Sequence, residues 1–209
     1  MKTIKTKWLE GELSQNTFVI ETDNGLILID AGCPPNKIKE LSNKPVLAIF
    51  LTHGHFDHVA HIEDFGDIPI YASEKIKQVL TDETENVSAL FSQPRKYKVN
   101  NIHHLKDYEI VKIDDLEIKA ISTPGHSRDG MCFLINNDLY SGDTIFSVAM
   151  GRIDLPGSNI KQMIESLNKL NRIDFNNLYA GHGRVSNKQE QIQNIAHWLN
   201  ELQNISNIL

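Results

Sequence analysis

Residues 46–58 read Val-Leu-Ala-Ile-Phe-Leu-Thr-His-Gly-His-Phe-Asp-His, an apolar run that ends in a cluster of polar side chains. The run is apolar at every position through Leu51, which is typical of a strand covered on both faces. Because residues i and i+2 of a strand share a side, His53 and His55 can face one ion, while Asp57 and His58 lie past the bend. Crowded imidazoles and a carboxylate repel one another or stay unpaired unless they bind a cation. Zinc, iron and manganese accept these ligands, so we predict a metal centre here.

Three later segments repeat this arrangement of a metal-binding side chain beside a glycine, directly after a predicted strand. They are Thr123-Pro124-Gly125-His126, Ser141-Gly142-Asp143 and Ala180-Gly181-His182-Gly183. Loops at strand ends are where layered sheet folds gather functional residues. We therefore predict that His126, Asp143 and His182 join the first cluster. The other four histidines lack this context and are predicted to be surface or packing residues, with His61 either near the ligands or at the surface: His61, His103, His104 and His197.

Short apolar runs separated by turn residues predict strands on both sides of this stretch. Strands are expected over 18–20 and 26–29, with a positive-φ Asn24-Gly25 turn between them, and over 110–113, 116–121, 131–135 and 139–141. Helices are expected over 35–41, from Ser158 as N-cap to 170, and from Asn187 as N-cap to about 202, while 72–92 has a helical pattern broken at 81–82. Two similar strand-rich halves predict one domain over residues 1–209. Its class is α/β (α+β), a four-layer αββα sandwich with two mixed sheets face to face and helices outside.

Composition excludes several classes of partner. Lys and Arg number 21 against 27 Asp and Glu among the 209 residues, giving a net charge of −6, and the cations are scattered. This disfavours nucleic acid, which needs clustered cations, and favours a small-molecule substrate. The N-terminus lacks a signal-peptide apolar region and no apolar run approaches ~20 residues, so we expect a cytoplasmic protein without a membrane partner. Cys33 and Cys132 are predicted to be small core residues.

The order of these motifs resembles the metallo-β-lactamase superfamily. The motifs are His-x-His-x-Asp-His at 53–58, Pro-Gly-His at 124–126, Gly-Asp-Thr at 142–144 and Gly-His-Gly at 181–183, and the resemblance runs from residue 16 to about residue 182. Gly-Asp-Thr-Ile-Phe at 142–146, followed by Gly-Arg-Ile-Asp-Leu-Pro-Gly at 151–157, is similar to the glyoxalase II-like branch. The chain thus resembles a short, single-domain member of that branch.

The resemblance implies a site for two divalent metal ions, zinc first, with iron or manganese as alternatives. It assigns His53, His55 and His126 to one metal and Asp57, His58 and His182 to the other, with Asp143 bridging them. Asp30 matches a strand-end aspartate of the superfamily, which would orient a ligand by hydrogen bonds. Arg152 and Asp154 are predicted to pair near the site entrance, either as a structural salt bridge or as a substrate contact.

A water shared by two divalent ions loses its proton near neutral pH, and one ion can polarise a carbonyl. The resemblance therefore implies a metal-dependent hydrolase in which a metal-bridging hydroxide attacks a carbonyl, with Asp57 and Asp143 as its catalytic residues. The expected substrate is a thioester of the hydroxyacylglutathione type. Glyoxalase II adds a helical domain with glutathione contacts after the last histidine, whereas here 27 residues follow His182. We therefore expect a thiol-binding half that is missing or built differently.

Several alternatives stay open at this stage. Persulfide dioxygenases resemble the same branch and use a single iron, which His53, His126 and Asp143 could ligate here. A metal-binding or regulatory protein that has lost activity is a further alternative, although its expected mark is a broken ligand set. β-Lactam and lactone hydrolysis would place a carbonyl at the same point, and the Gly-Arg-x-Asp segment at 151–154 disfavours them. The oligomeric state and the acyl group are not predicted.

Overall fold

The computed structural model describes residues 3–6 and 14–206 of the chain. Within this part, twelve strands and five α-helices follow one another, with one 3₁₀ helix, η1. The strands are β1 (Thr3–Thr6), β2 (Thr17–Glu21), β3 (Leu26–Ile29), β4 (Val46–Phe50), β5 (Ile70–Ser73), β6 (Ile102–Leu105), β7 (Ile110–Ile113), β8 (Leu116–Ser122), β9 (Met131–Ile135), β10 (Asp138–Gly142), β11 (Asn177–Ala180) and β12 (Ser186–Asn187). The helices are α1 (Pro35–Leu41), η1 (Ile62–Phe65), α2 (Ile76–Leu80), α3 (Ser88–Phe91), α4 (Ile160–Asn171) and α5 (Lys188–Ser206).

The strands form two six-stranded sheets, and both are mixed. The first has the order β1-β2-β3-β4-β5-β6, antiparallel from β1 to β3 and parallel from β3 to β6. The second has the order β12-β11-β10-β9-β8-β7, in which only the β10–β11 pair is parallel. The predicted class of two mixed sheets with helices is confirmed.

Three apolar clusters separate four layers. The middle cluster packs Phe18, Ala48 and Phe50 of the first sheet against residues of the second, such as Phe133 and Tyr140. An outer cluster places Ile49 and Leu51 against the side chains of α1 and α2, as the uniformly apolar run at 46–51 predicts. The third cluster places the outer face of the second sheet against α4 and α5. Each strand of the core therefore buries both faces, because every sheet lies between another sheet and helices.

Three short strands of the first sheet, β1, β5 and β6, are absent from the sequence prediction. β5 occupies the start of the 72–92 segment that was expected to be helical, and α2 and α3 supply only two short helices there. β6 reads Ile-His-His-Leu with both histidines exposed, and such an edge strand has little apolar signal. His103 and His104 thus lie in a strand, not in the polar loop that the sequence suggested.

Three details of turns and caps test the local predictions. Asn159, not Ser158, caps α4, because its side-chain oxygen accepts from Gln162 N at 3.0 Å. Asn24 and Gly25 do not have positive φ, so the turn prediction was wrong in that respect. Gly25 is required instead because a Cβ there would overlap Leu47. The Asn187–Glu190 capping box is confirmed, with reciprocal hydrogen bonds of 3.0 and 3.1 Å.

No helix in the described part of the chain has the length and apolar character needed to span a membrane. The prediction that residues 1–209 form one domain stays a prediction.

Candidate metal centre

Four strands from the two sheets end at one point, and the loops that follow them carry the predicted ligands. The loop after β4 carries His53 to His58, and the loops after β8, β10 and β11 carry His126, Asp143 and His182. Most of these side chains are buried, and His182 is the most open, with 25% of its side chain exposed. All seven predicted ligand residues therefore come together in space.

The seven side chains form overlapping groups of a size that suits a metal ion. In each of three groups, the ligand atoms lie within 4.8 Å of one another: His53 with His55 and His126; Asp57 with His58 and His182; and His53 with His58 and Asp143. The first two groups are the two sets that the resemblance implies. Each set combines residues of both sheets, since His126 and His182 follow strands of the second sheet.

Asp143 lies between the two sets. Its Oδ1 is 3.2 Å from Nε2 of His58, and its Oδ2 is 3.4 Å from Nε2 of His182. The same Oδ2 is 3.6 Å from Nε2 of His126, which belongs to the other set. A carboxylate in this position can contact cations on both sides, which is the arrangement expected of a bridging ligand.

Hydrogen bonds to the outer ring nitrogens orient the imidazoles. His126 Nδ1 donates to the carbonyl oxygen of Arg152 at 2.9 Å, and His182 Nδ1 donates to that of Ser14 at 2.8 Å. His58 Nδ1 donates to Asp30 at 2.7 Å. With Nδ1 carrying the proton, the lone pair of Nε2 points into the cluster, as in metal-ligating histidines whose second nitrogen is hydrogen-bonded.

Asp30 holds two parts of the centre at once. Besides His58, its carboxylate accepts from the backbone N–H of Thr52 at 2.7 Å and from the Thr52 hydroxyl at 2.9 and 3.0 Å. The Thr52 oxygen in turn lies 3.1 Å from Nδ1 of His53, whose N–H it accepts. Asp30 has a φ of +64°, a conformation that few non-glycine residues adopt. One buried carboxylate therefore orients the His58 ring directly and the His53 ring through Thr52.

The set of His53, His55 and His126 favours neutral imidazoles. Burial lowers the pKa of His53 and His55 well below 6.5, and neighbouring histidines lower each further. Burial also lowers the pKa of His126. The Nε2 atoms of His53 and His55 are buried without a hydrogen-bond partner among the described residues. Neutral, desolvated nitrogens with free lone pairs fit a divalent cation such as zinc.

The set of Asp57, His58 and His182 instead favours protonated imidazoles when no cation is bound. Burial opposes charge on His58, but Asp143, Asp57 and Asp30 raise its pKa well above 6.5. Burial likewise opposes charge on His182, and Asp143 and Asp57 raise its pKa to about 10. The same ion pairs hold the pKa of the Asp143 carboxyl well below 3.8 despite its burial. Two carboxylates that attract protons onto adjacent imidazoles also attract a divalent cation, so this set fits a second metal ion.

Glycines permit the close packing that the site requires. A Cβ at Gly181 would overlap the carboxylate of Asp143 and the ring of His58. A Cβ at Gly142, which has a φ of +49°, would overlap Thr52. These two glycines therefore leave room for the side chains of Asp143, His58 and Thr52.

The remaining histidines lie outside the cluster. His61 precedes η1 and its Nδ1 is 2.7 Å from Asp64, while His197 packs edge-on against Trp198. The thiols of Cys33 and Cys132 are both buried, and burial raises the pKa of Cys132 to about 11. This thiol is inert at neutral pH, so both cysteines are core residues, as expected.

Sequence reasoning missed three contributors to the site. The carbonyls of Ser14 and Arg152 orient ligand rings, and no sequence signal marks them because every residue has a carbonyl. Thr52 was quoted only as the residue before His53, and its role depends on Asp30 lying opposite it. The predicted Arg152–Asp154 pair is present, with two hydrogen bonds of 2.9 and 2.7 Å.

The four-layer fold and the histidine–aspartate centre define a metallo-hydrolase. The chain belongs to the metallo-β-lactamase superfamily, because the sequence model of the family described as "Metallo-beta-lactamase superfamily" matches residues 11–182.

Two curated proteins are similar in sequence to this chain. A probable metallo-hydrolase of Streptococcus pyogenes is 32% identical over 200 residues, covering 88% of this chain and 84% of its own length. A hydroxyacylglutathione hydrolase of Xanthomonas axonopodis pv. citri is 29% identical over 154 residues, covering 73% of this chain. The match spans 53% of the Xanthomonas enzyme, so its remaining part has no counterpart in the alignment.

Two solved structures show the same fold. The crystal structure of BLEG-1 B3 metallo-beta-lactamase superposes with a TM-score of 0.82 at 24% identity, covering 94% of this chain and 99% of that one. The structure of TTHA1623 in a di-iron-bound form has a TM-score of 0.77 at 26% identity, covering 90% of this chain and 98% of that one. A probable polyketide biosynthesis zinc-dependent hydrolase of Bacillus subtilis is 26% identical over 126 residues, so proteins similar to this chain are described with zinc as well as with iron.

Proposed function

We propose that this protein hydrolyses acyl thioesters of the hydroxyacylglutathione type, with two divalent cations held by the seven clustered side chains. The position of Asp143 carries this proposal, because its carboxylate contacts His58 and His182 of one set and His126 of the other. When bound, a pair of cations supplies a hydroxide nucleophile near neutral pH and polarises a carbonyl. The hydroxyacylglutathione hydrolase among the relatives supports the thioester as the substrate class.

In this proposal each residue has a defined task. His53, His55 and His126 hold one cation, and Asp57, His58 and His182 hold the other, with Asp143 shared between them. Zinc is the first cation to test, and iron or manganese suit the same nitrogen and oxygen donors. Asp30 keeps the two rings that it reaches in their ligating orientation.

The reaction adds water across the thioester bond. The carbonyl carbon gains the water oxygen, the carbon–sulfur bond breaks, and the sulfur leaves as a thiol after taking up the remaining proton. The carboxylates of Asp57 and Asp143 line the cavity and would take part in that proton transfer. The catalytic role of both residues is part of the proposal.

The decisive experiment compares metal-stripped and zinc-loaded protein. Thiol release from S-lactoylglutathione should appear only after zinc is restored, with about two zinc ions bound per chain. Asp143→Asn should lose at least ~100-fold in thiol release, because a shared ligand is removed. Asp115→Asn, at an exposed turn between β7 and β8, is the matched control and should behave as the parent protein. Thiol release unchanged in Asp143→Asn would refute the bridging role, and a zinc-loaded protein without any hydrolysis would favour a regulatory protein.

A second function is favoured by one geometric detail. His53, His58 and Asp143 form a set of two histidines and one carboxylate, which is the donor set of non-haem iron oxygenases. This set differs from the trio His53, His126 and Asp143 expected from the sequence. We propose iron-dependent oxidation of a glutathione persulfide as the alternative. Oxygen consumption by iron-loaded protein with that persulfide would establish it, whereas two bound metals without oxygen consumption would refute it.

A further inference from the structure

The candidate centre opens into a cavity of about 240 Å³ whose walls are largely apolar. Its apolar lining consists of Phe56, Val87, Phe91, Phe146 and Leu155. Five of the seven clustered side chains form its floor and sides: His55, Asp57, His126, Asp143 and His182. A substrate carbonyl at the centre would therefore place one of its two substituents against aromatic and aliphatic side chains.

The charges around this cavity indicate whether the acyl chain or the thiol of the thioester lies in it. Arg152 is the one Lys or Arg side chain among the described residues that line the cavity, and Asp154 already pairs with it through two hydrogen bonds. Its guanidinium carbon also lies 5.6 Å from the centre of the Phe91 ring. An anionic thiol such as glutathione thus finds no unpaired cation in the cavity lining, and burial of its carboxylates there would be costly. The thiol part of the substrate is therefore expected at the cavity entrance, and the acyl part is expected inside the cavity.

Two parts of the cavity lining are held in place in different ways: the loop with Phe146 and the turn with Val87 and Phe91. The loop carrying Phe146 is fixed by α5, because the side-chain amides of Gln191 and Asn194 donate to the Phe146 carbonyl at 3.1 and 3.0 Å. The Phe146 ring lies edge-on to His182, with 5.9 Å between ring centres. This wall therefore has a set position relative to the metal ligands.

The part of the lining formed by Val87 and Phe91 contains a strained residue. Val87 precedes α3 with a φ of +55°, which is a true outlier for a β-branched residue. Such strain concentrates at ligand sites, where surrounding contacts hold the backbone. Here the side chain of the fully buried Asn86 holds it, donating to the carbonyl of Arg95 at 2.8 Å and accepting from Ser88 N at 3.0 Å. This turn presents Val87 to the cavity and leaves Phe91 40% exposed at its rim.

We propose that this cavity binds the acyl arm of the substrate as an apolar chain, and that Phe91 and Phe146 determine the preferred chain length. The inference rests on the proposed thioester hydrolysis and deepens it. Burial of each methylene contributes about fourfold in kcat/KM, so four additional methylenes give up to ~200-fold. The favoured substrates are accordingly acyl thioesters with a medium apolar chain, ahead of the small polar lactoyl group.

The experiment uses two parallel series on the zinc-loaded protein. The first measures kcat/KM for S-acetyl-, S-butyryl- and S-hexanoylglutathione. The second measures binding of the non-hydrolysable thioethers S-methyl-, S-butyl- and S-hexylglutathione by calorimetry. Both series should strengthen with chain length in the parent protein. Phe91→Ala and Phe146→Ala should each reduce the hexanoyl-to-acetyl ratio at least ~10-fold. Leu90→Ala is the matched control, since Leu90 is 54% exposed beside Phe91 and does not line the cavity.

The two series separate this inference from the proposed function. Length-dependent thioether binding that Phe91→Ala removes, without any thioester hydrolysis, supports the cavity assignment and refutes the hydrolase. Hydrolysis that varies less than about threefold from acetyl to hexanoyl overturns the cavity assignment and leaves the hydrolase in place. An equal loss of chain-length preference in Leu90→Ala would also overturn it, because a general change of the α3 turn would then be responsible. Failure of both series overturns both proposals.

Discussion

Replacing Asp129 by asparagine should stabilise the protein above neutral pH. Asp129 is 1% exposed, and the hydrogen bonds that Ser127 and the backbone N–H of Gly54 offer its carboxylate offset only part of the cost of burying a charge there. It lies behind the loop of the first two ligands, where a Cβ at Gly54 would be 3.3 Å from its Oδ2. Burial raises the pKa of Asp129 from 3.8 to about 6. A charged carboxylate in this position therefore destabilises the fold.

The size and sign of the effect follow from proton linkage. Because the folded state holds the proton more tightly than the unfolded state, the stability contributed by protonated Asp129 is complete below pH 3.8 and is lost as pH rises to about 6. A rise from 3.8 to about 6, at 1.36 kcal/mol per pKa unit, corresponds to about 3 kcal/mol. Asparagine carries no charge at any pH. Asp129→Asn should thus exceed the parent protein by about 3 kcal/mol at pH 8 and by roughly 0.5 kcal/mol at pH 4.

The assay is urea unfolding of metal-stripped protein across this pH range, comparing the parent with Asp129→Asn. The histidine cluster titrates in both proteins, so the difference between them isolates Asp129. Asp67→Asn, at an exposed position, is the control and should change the free energy of unfolding by less than about 0.5 kcal/mol. If Asp129→Asn is no more stable than the parent at pH 8, the carboxylate has a partner that satisfies its charge and the reasoning fails.

Four further outcomes can be checked with standard measurements. Asp143→Ala should reduce bound metal from two ions per chain to one or none by elemental analysis. Asp30→Asn should weaken metal affinity ~10–100-fold in a chelator competition, because His58 loses its charged hydrogen-bond partner. Adding zinc to metal-free protein at pH 7 should release protons into a weakly buffered solution, since ligation requires neutral imidazoles and the pKa of His182 is raised to about 10. Phe50→Ala should cost ~3–5 kcal/mol in urea unfolding, because this fully buried ring packs between the sheets.

The seven residues of the candidate centre could be predicted because they follow strand ends, and five of them sit beside a glycine. An apolar run such as 46–51 is visible in the sequence, and the side chain after its end has a defined place at the sheet edge. The walls of the cavity could not be predicted in this way. Phe91 ends α3 and Phe146 lies in the loop after β10, 55 residues later in the chain, and only the folded structure brings both to one cavity. The Asp129 environment was equally hidden, since Ser-Arg-Asp-Gly at 127–130 has the polarity of an exposed turn.

Edge strands were the other weak point of the prediction, for a physical reason. A strand in the middle of the sandwich buries both faces, so its sequence is apolar throughout, whereas β6 pairs only with β5 and exposes two histidines. Its formation depends on the parallel pairing of Ile70 with Ile102 across a long connection. Local sequence does not encode a pairing of that separation.

The two sheets are joined at the candidate centre more directly than by packing alone. Thr52, after β4 of the first sheet, accepts at its carbonyl a hydrogen bond of 2.8 Å from Met131 N of the second. Asn16, directly before β2 of the first sheet, donates its backbone N–H to the Gly181 carbonyl at 2.7 Å, beside His182. Each proposed metal would add bonds across the same seam, since each set takes residues from both sheets. Cation binding to the folded state would therefore stabilise the association of the two sheets by mass action. The same contact between the sheets holds the ligand side chains in position for the cation.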